Sequence, residues 1–328
     1  MQQRRLGRSG LVVSELALGT MTWGRDTGED DAAAQLREFV DAGGSLVDTA
    51  DRYADGQSER MLGRLLADVV ARAEVVIATK AGAPVGPGPR ERGASRGHLL
   101  GALDASLERL QTSYVDLWQL HTWDDATPLE ETLAALDAAV TSGRVRYVGV
   151  SNFTGWQTAK AATWQLAWPG RSPLVSTQVE YSMLARGVER EVVPAALDAG
   201  LGILPWSPLG RGVLTGKYRS RTPRDSRGAS SALAGFVAPY LDEPSTRVVQ
   251  AVATAADGLG VAPLSVALAW LRDRPGVVAP VVGARTSAQL TDSLASCEVT
   301  LPAEIAAALS EVSAPPMGYP ERWPPARG

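Results

Sequence analysis

Cysteine and histidine are scarce in this sequence. Cys297 is the single cysteine among 328 residues, and the two histidines are His98 and His121. One thiol excludes an internal disulfide, and no group of cysteines and histidines has metal-ligand spacing. We therefore predict no bound metal and a reducing, cytoplasmic location.

Long apolar runs and a basic excess are absent as well. No stretch reaches the roughly 18 apolar residues of a membrane helix. Glu15 and the glycines and serines around it interrupt the segment after the basic N-terminus before a signal core can form. A net charge of −4 gives no overall field that would attract nucleic acid or anionic lipid. We expect small-molecule partners, with no nucleic acid and no membrane; the oligomeric state is not defined by these features.

Short apolar runs alternate with segments of helical period along the chain, which predicts parallel strands joined by helical crossovers. Apolar residues three and four apart, as at Leu129, Leu133 and Leu136, predict helices that pack on a sheet. Eight strand-like runs are present, the number that closes a barrel. They are Leu16–Gly19, Ser45–Thr49, Val75–Thr79, Val115–Leu120, Arg146–Val150, Leu174–Val179, Gly202–Trp206 and Val277–Val281.

A doubly wound dinucleotide fold is the main rival, but no G-x-G-x-x-G turn joins the first strand to the first helix. We predict an α/β fold, a single (β/α)8 TIM barrel over residues 1–328. Ala81–Gly97 and Ser207–Pro244 are rich in Gly, Pro, Ser and Arg and follow strands, so they are predicted as long loops or lids at the C-terminal face. The Pro-rich tail, residues 314–328, is predicted to lie on the surface.

Ionisable residues follow three successive strands. Asp48 and Tyr53 follow the second, Lys80 ends the third and His121 ends the fourth. Parallel strands deliver these groups to one rim, where burial of charge is costly unless the groups pair. Taken singly, each is also compatible with a cap, a solvated charge or a rim residue. His98, in a Gly- and Arg-rich segment, is predicted at the surface.

Together the four residues suit carbonyl reduction. Hydride transfer to a carbonyl leaves an alkoxide that must be protonated, and a phenol with a pKa near 10 is a weak acid at neutral pH. Lys80 beside Tyr53 would lower the phenol pKa, Asp48 would hold Lys80 protonated, and His121 would orient the substrate oxygen. Tyr53 is then the acid.

Four segments carry a resemblance to a known family: Val47–Tyr53, Ala78–Lys80, Tyr114–His121 and Gly143–Asn152. In order and spacing they resemble the aldo-keto reductases, and the likeness extends from Leu6–Gly10 to Val282–Arg285. The resemblance implies that Tyr53 is the proton donor, that Lys80 and Asp48 tune it, and that His121 positions the carbonyl.

The resemblance also implies an NADPH/NADP+ site. Its residues are Gly19, Thr20, Met21, Asp48, Ser151, Asn152, Gln178, Trp206, Ser207, Pro208, Leu209, Gly210, Arg211, Lys217, Arg227, Gly283, Arg285, Gln289, Asp292 and Ser293.

Within that set, the resemblance gives each group a role. Gly19–Met21 would lie under the nicotinamide ribose, Ser151 with Asn152 and Gln178 would bind the carboxamide, and Trp206 would stack on the ring. The loop 207–217 would fold over the pyrophosphate, with Arg211 and Lys217 meeting anionic oxygens.

The segment after strand eight is predicted to bind the 2′-phosphate of the cofactor. Thr286 or Ser287 is predicted to cap a helix aimed at phosphate, and Arg285 to pair with a 2′-phosphate, which favours NADPH over NADH. Asp292 and Ser293 stand where the family commonly has Glu and Asn, so the adenine contacts depart from its pattern.

Trp23 and Trp123 follow strands one and four and are predicted to wall the substrate pocket with Tyr53 and His121. Trp156 is assigned to packing. Aldehydes and ketones fit such walls, and sugar or deoxysugar carbonyls stay open.

Three functions follow from these features. The first is an NADPH-dependent carbonyl reductase. The alternative is a cofactor-binding regulatory protein like the potassium-channel β subunits of the family. A long N-terminal extension that could plug a channel would favour this alternative, and we find none in the sequence. The third is an NAD-preferring dehydrogenase that works in the oxidative direction.

Overall fold

The computed structural model describes residues 1–219, 222–223, 227–229, 234–316 and 318–319, so most of the predicted tail lies outside the described residues. The strands are β1 Gln3–Arg5, β2 Val12–Ser14, β3 Ala17–Gly19, β4 Leu46–Asp48, β5 Val76–Ala81, β6 Val115–Leu120, β7 Val145–Ser151, β8 Leu174–Glu180, β9 Gly202–Trp206 and β10 Val281–Val282. The helices are α1 Glu29–Asp41, α2 Gln57–Asp68, α3 Arg96–Arg109, α4 Leu129–Thr141, α5 Gly155–Leu166, α6 Val192–Ala199, α7 Ala234–Val237, α8 Glu243–Leu259, α9 Pro263–Arg272, α10 Ser287–Leu294 and α11 Ala303–Val312.

The central sheet has eight parallel strands in the order β10-β3-β4-β5-β6-β7-β8-β9. Its two edges meet just before β10. There Ile203 of β9 donates its N–H to the carbonyl of Gly276 at 2.8 Å and accepts from the N–H of Val278 at 2.9 Å. Helices surround this ring, so the predicted (β/α)8 TIM barrel is confirmed.

The eighth strand differs from its predicted range, Val277–Val281. The regular strand covers Val281–Val282, and Val277 forms one isolated bridge with Ile203. Pro280 lies between these two pairings and has no N–H to give to a ladder. Its carbonyl still accepts from the N–H of Ala17 at 3.0 Å, which holds the segment against β3.

An antiparallel hairpin of β1 and β2, absent from the sequence prediction, closes the barrel at the amino ends of its strands. Leu6 and Val13 are fully buried and join an apolar cluster with interior barrel residues such as Leu46 and Leu204. Gly7 has φ +58°, and a Cβ there would meet the carbonyl oxygen of Gly200 at 2.6 Å. The barrel is therefore plugged at this end and open to ligands only at the other.

The outer helices pack through the apolar stripes seen in the sequence. Leu36 and Phe39 of α1 are buried, as are Leu99 and Leu103 of α3. Residues 82–95 follow β5 and residues 207–219 follow β9, so both segments begin at the carboxyl ends of the strands. The second predicted loop also contains the short helix α7. The carboxyl end carries the residues considered below.

Helices α8 and α9 follow each other closely in the chain. Ser265–Arg272 of α9 are buried throughout. Within the described ranges, no helix is by itself long and apolar enough to span a membrane, and α8 with α9 pass that test of length and composition only as a pair bent by 102°.

Candidate active site

Lys80 is the centre of a buried polar cluster at the end of β5. Its ammonium donates to Asp48 Oδ2 at 2.7 Å, to the carbonyl of Thr49 at 2.8 Å and to Tyr53 Oη at 3.4 Å. The side chains of Lys80 and Asp48 are 1% and 4% exposed. A lysine ammonium has three protons, and each finds an acceptor here. Strands β4 and β5 thus bring Asp48, Tyr53 and Lys80 together.

The second carboxylate oxygen of Asp48 connects the cluster to β8. Oδ1 accepts a hydrogen bond from Gln178 Nε2 at 2.8 Å. Ser151 at the end of β7 donates its hydroxyl to the backbone carbonyl of Gln178 at 2.9 Å. The structure therefore gives the Gln178 amide nitrogen a partner within the protein, and its predicted contact with a carboxamide stays a prediction.

The pKa of Tyr53 is raised overall, although Lys80 lowers it as expected. Burial raises the phenol pKa, and this effect exceeds the opposing effect of the Lys80 charge, while the negative charge of Asp48 adds to the rise. For Lys80, burial lowers the pKa, but the charge and hydrogen bond of Asp48 outweigh it, so the pKa is raised. Tyr53 is thus a protonated phenol beside a protonated amine.

His121 is a neutral imidazole above this cluster. Burial, and then the positive charges of Lys80 and Arg52, lower its pKa to about 3. Its ring meets that of Tyr53 edge-on, with the centroids 6.1 Å apart. The backbone is fixed on both sides: the N–H of His121 donates to Ala81, and its carbonyl accepts from Asn152 Nδ2 at 2.9 Å. A neutral imidazole in this place has one N–H donor for a ligand.

Asn152 links three strand ends. Besides its bond to His121, its Oδ1 accepts from Trp206 Nε1 at 3.0 Å, which fixes the indole at the end of β9. Asn152 has φ +58°, a left-handed conformation uncommon for a residue with a side chain. Ser207, directly after Trp206, has φ +51°. Both residues were predicted to contact the cofactor, and both occupy strained turns on the rim.

The turn after β3 is closely packed. A Cβ on Gly19 would meet Val281 Cγ1 at 2.8 Å, so the position has no room for a side chain. The hydroxyl of Thr20 is buried, 3.2 Å from the carbonyl of Asp48 and 2.7 Å from Ser58 Oγ. Thr20 thus braces β3 against β4, and Met21 is the half-buried side chain of the predicted trio.

The loop after β9 has a run of left-handed residues: Gly210, Arg211, Gly212 and Gly216. Pro208 and Gly210 are buried and Leu209 half-buried. A Cβ on Gly212 would lie 3.2 Å from Lys217 Nζ, so that ammonium sits against the loop.

Arg211 has a partner that the sequence prediction missed. Its guanidinium forms two hydrogen bonds with Glu180 at the end of β8, at 2.8 and 2.7 Å, and stacks on Phe236 at 3.8 Å. In the structure this guanidinium fastens the loop to β8, and its predicted contact with anionic cofactor oxygens stays a prediction. Arg227 starts a 3-10 turn, and its side chain lies outside the described residues.

The segment after β10 begins helix α10. Thr286 is its N-cap and accepts from the N–H of Gln289 at 3.4 Å, and the Gln289 side chain accepts from the N–H of Arg285 at 3.0 Å. The capping role predicted for Thr286 is confirmed. A Cβ on the exposed Gly283 would meet nothing nearer than the carbonyl of Gly19, at 3.7 Å.

The two residues that depart from the family pattern lie on different sides of α10. Asp292 is exposed, whereas Ser293 is buried and donates its hydroxyl to the carbonyl of Gln289 at 3.0 Å. Of the two, only Asp292 presents its side chain to solvent.

The structure corrects the prediction for Trp23. Its indole is fully buried and donates to Gln35 of α1 at 3.2 Å, because the turn after β3 directs the ring into the helix layer. Trp123 does lie on the rim, and its ring meets Phe153 and Trp156 edge-on, each with centroids 5.2 Å apart.

Trp156 was assigned to packing but is 56% exposed. Its position four residues after Asn152, at the end of β7, was the signal for a place on the rim.

The chain is similar to known proteins over nearly its whole length. Residues 15–314 match the aldo/keto reductase family. The chain is 38% identical over 327 residues to the "Uncharacterized oxidoreductase YrpG" of Bacillus subtilis, covering 97% of this chain and 98% of that protein. It is 36% identical over 306 residues to the "Probable voltage-gated potassium channel subunit beta" of Oryza sativa, covering 91% and 92%. It is 34% identical over 302 residues to the "L-glyceraldehyde 3-phosphate reductase" of Escherichia coli, covering 90% and 87%. The chain belongs to the aldo/keto reductase family.

Proposed function

We propose that the chain reduces aldehydes or ketones with NADPH and that Tyr53 is the general acid. The observation that carries this proposal is the threefold hydrogen bonding of the Lys80 ammonium to Asp48, the Thr49 carbonyl and Tyr53. A buried amine held by a carboxylate beside a phenol is a device for stabilising the phenolate that forms when the phenol gives up its proton.

The residues around the rim fit a phosphorylated dinucleotide. The ammonium of Lys217 beside Gly212, the Arg285 side chain and the capped N-terminus of α10 suit phosphate groups. Trp206, held by Asn152, offers an indole face on which a flat ring can stack. When bound, NADPH supplies the hydride.

The proton is handled by the protein. Tyr53 holds it at Oη, because its pKa is raised above the ordinary value. The neutral imidazole of His121 donates its N–H to the substrate oxygen and so orients the carbonyl. After Tyr53 gives its proton to that oxygen, the ammonium of Lys80 balances the charge of the phenolate.

The proposed substrate class is supported by aromatic residues on the rim and by the name of one relative. Trp123 and Trp156, with Trp123 packed on the buried Phe153, offer an aromatic wall for the apolar part of an aldehyde or ketone. The name of the Escherichia coli relative specifies an aldehyde that carries a phosphate. We therefore include sugar and deoxysugar carbonyls in the proposal.

The test is NADPH oxidation with 4-nitrobenzaldehyde, followed at the absorbance of the reduced nicotinamide. For Tyr53→Phe we expect kcat to fall by about 10³-fold, the usual contribution of a general acid. NADPH binding, read by quenching of tryptophan fluorescence, should be unchanged. Tyr114→Phe is the matched control, because Tyr114 lies before β6 at the opposite end of the barrel. Equal kcat for Tyr53→Phe and Tyr114→Phe would contradict the assignment.

A second candidate is a cofactor-binding regulatory protein, favoured by the similarity to the rice protein named as a probable channel β subunit. The two candidates differ in turnover. Tight NADPH binding by the wild-type protein with no oxidation across a broad panel of aldehydes, ketones and keto-sugars would favour the regulatory function.

A further inference from the structure

Trp156, the second residue of α5, presents a large apolar side chain to solvent at the rim of the barrel. The side chain is 56% exposed. A single exposed apolar residue is ordinary in a folded protein, so exposure alone assigns no role to this indole. Its neighbours and its connection to the proposed active site do assign one.

The ring of Trp156 packs against that of Trp123. The two rings meet edge-on, with centroids 5.2 Å apart and planes at 65°. Trp123 in turn meets the ring of Phe153, which is 3% exposed, at the same centroid distance. Trp123 and Trp156, which we call the indole pair, thus continue a buried aromatic contact out to the surface.

The indole pair is held in place on both sides. A Cβ on Gly155 would meet Cβ of Glu191 at 2.4 Å, so the first turn of α5 lies close against the N-cap of α6. The indole of Trp123 donates its N–H to Asp125 Oδ1 at 2.7 Å. Side chains that are fixed before a ligand arrives lose little conformational freedom when it binds.

The segments that carry the indole pair also hold His121. Trp123 is two residues after His121, and Trp156 is four residues after Asn152, whose Nδ2 donates to the carbonyl of His121 at 2.9 Å. Two residues of extended chain span at most about 7 Å. A carbonyl group and a six-membered ring joined by two carbon atoms cover such a distance. The proposed carbonyl site and the indole pair are therefore within reach of one small molecule.

The angle between the two indoles favours a flat ring. A third ring that lies parallel to one indole meets the other at the same steep angle. Offset stacking and edge-to-face contact are the arrangements that aromatic rings prefer, and this position allows both at once. A saturated ring of the same size is puckered and has no π face, so it gains only from the burial of its apolar surface.

The polar side chains next to Trp123 are already in use. Asp125 accepts from the indole of Trp123, and Asp124 accepts from two backbone N–H groups and from the hydroxyl of Thr127. Both carboxylates thus have hydrogen bonds within the protein. A sugar ring on the indole pair would bury hydroxyl groups against apolar faces, which is costly without new partners.

We infer that Trp156 is a specificity-determining residue whose indole, with that of Trp123, binds a flat aromatic ring carried two carbon atoms from the substrate carbonyl. This inference rests on the proposed carbonyl reduction and narrows its substrate class.

The test compares two aldehydes that differ in the planarity of the ring, 3-phenylpropanal and 3-cyclohexylpropanal. Neither carbonyl is conjugated with its ring, so their intrinsic reactivities are alike. For the wild-type protein we expect kcat/KM to be about fivefold higher for the phenyl compound, the size of the preference of one aromatic pair. In Trp156→Leu this preference should disappear. In Trp156→Phe, which keeps a flat ring, most of it should remain.

Trp168→Leu is the matched control. Trp168 is also exposed, at 60%, but it follows the opposite end of α5. This variant should keep the wild-type ratio of the two kcat/KM values. Because the readout is a ratio of two substrates on one protein, a partial loss of folded protein or of cofactor binding cancels.

The corresponding amides, 3-phenylpropanamide and 3-cyclohexylpropanamide, give the same comparison without turnover. Isothermal titration calorimetry on the full chain should show a Kd about fivefold lower for the phenyl amide. If neither aldehyde were reduced while the amides still differed in Kd, the reductase proposal would fail and the aromatic site would stand.

Four results would overturn the inference. They are no binding of either amide, equal values for the two rings in the wild-type protein, an unchanged ratio in Trp156→Leu, and an equal loss of the ratio in Trp168→Leu. Tighter binding of 4-(trimethylammonio)butanamide than of the phenyl amide would also overturn it, because the indole pair would then be a cation site.

Discussion

The two ends of the barrel differ in the kind of side chain that they bury. At the amino end, the β1–β2 hairpin buries Leu6 and Val13 against apolar interior residues, and burial of this kind stabilises the fold. At the carboxyl end, Asp48 and Lys80 are buried as an ion pair, and their desolvation offsets much of what the pairing contributes. The plugged end thus contributes stability, and the end where polar groups are buried carries the residues suited to chemistry.

Loss of Lys80 should have the largest effect at the carboxyl end. In Lys80→Met we expect kcat for carbonyl reduction to fall by about 10³-fold or more, because the phenolate of Tyr53 loses its stabilising charge. The same change leaves Asp48 buried without its cationic partner, which should lower the free energy of unfolding by about 3 kcal/mol. Steady-state kinetics and urea unfolding measure the two effects.

A double variant separates them. Asp48→Asn with Lys80→Met removes both charges, so stability should return towards that of the wild type while activity stays lost. If the double variant regained activity, the charge of Lys80 would not be part of the reaction. If it stayed as unstable as Lys80→Met, the unpaired carboxylate would not be the source of the instability.

Leu6→Ala tests the plugged end. Leu6 is fully buried, and a Cβ on Gly202 would meet its Cδ1 at 2.8 Å, so the side chain fills the bottom of the barrel closely. We expect the free energy of unfolding to fall by about 3 kcal/mol, with kcat of the folded protein unchanged. Val12→Ala, on the same hairpin but 45% exposed, is the control and should change stability little. A loss of kcat in Leu6→Ala at a temperature where it is folded would contradict the division between the ends.

Asp51→Asn tests the effect of a second buried carboxyl group at the carboxyl end of the barrel. The folded-state pKa of Asp51 is about 7, above the roughly 3.9 of an unfolded aspartate, so between these values the folded protein binds more protons. The stability contribution of Asp51 therefore falls as pH rises through this window. The amide of Asp51→Asn does not ionise, so the variant should gain on the wild type with rising pH, by about 2 kcal/mol.

Urea unfolding at about pH 5 and about pH 8 measures this gain. Asp68→Asn, at the exposed end of α2, is the matched control. A stability difference between Asp51→Asn and the wild type that did not change with pH would show that Asp51 does not titrate in this range.

The barrel could be predicted because it follows from residues that are close together in the sequence. The same holds for the shared location of Asp48, Tyr53, Lys80 and His121. A strand that ends on an ionisable residue delivers it to the rim, and in a barrel all carboxyl ends share one rim. The β1–β2 hairpin was missed because β1, Gln3–Arg5, contains no apolar residue that would indicate a strand.

What could not be predicted depends on contacts between distant residues. The indole of Trp23 was expected at the pocket, but its direction is set by packing against α1 and the bond to Gln35. The pairing of Arg211 with Glu180, 31 positions away, has no signal in the local sequence around either residue.

The smallest expected effect concerns the segment after β10, where the proposed cofactor site meets solvent. If Arg285 pairs with a 2′-phosphate, Arg285→Ala should raise the Kd for NADPH by about tenfold, the equivalent of one charge-assisted hydrogen bond. The Kd for NADH, which lacks that phosphate, should stay the same, and so should the stability, because Arg285 is a half-buried side chain far from the hairpin plug. Fluorescence titration of the two cofactors against wild type and variant measures both constants. Equal changes in Kd for NADPH and NADH would contradict the assignment of Arg285 to the 2′-phosphate. The proposed proton transfer from Tyr53 would be unaffected, but the preference for NADPH would lose its basis.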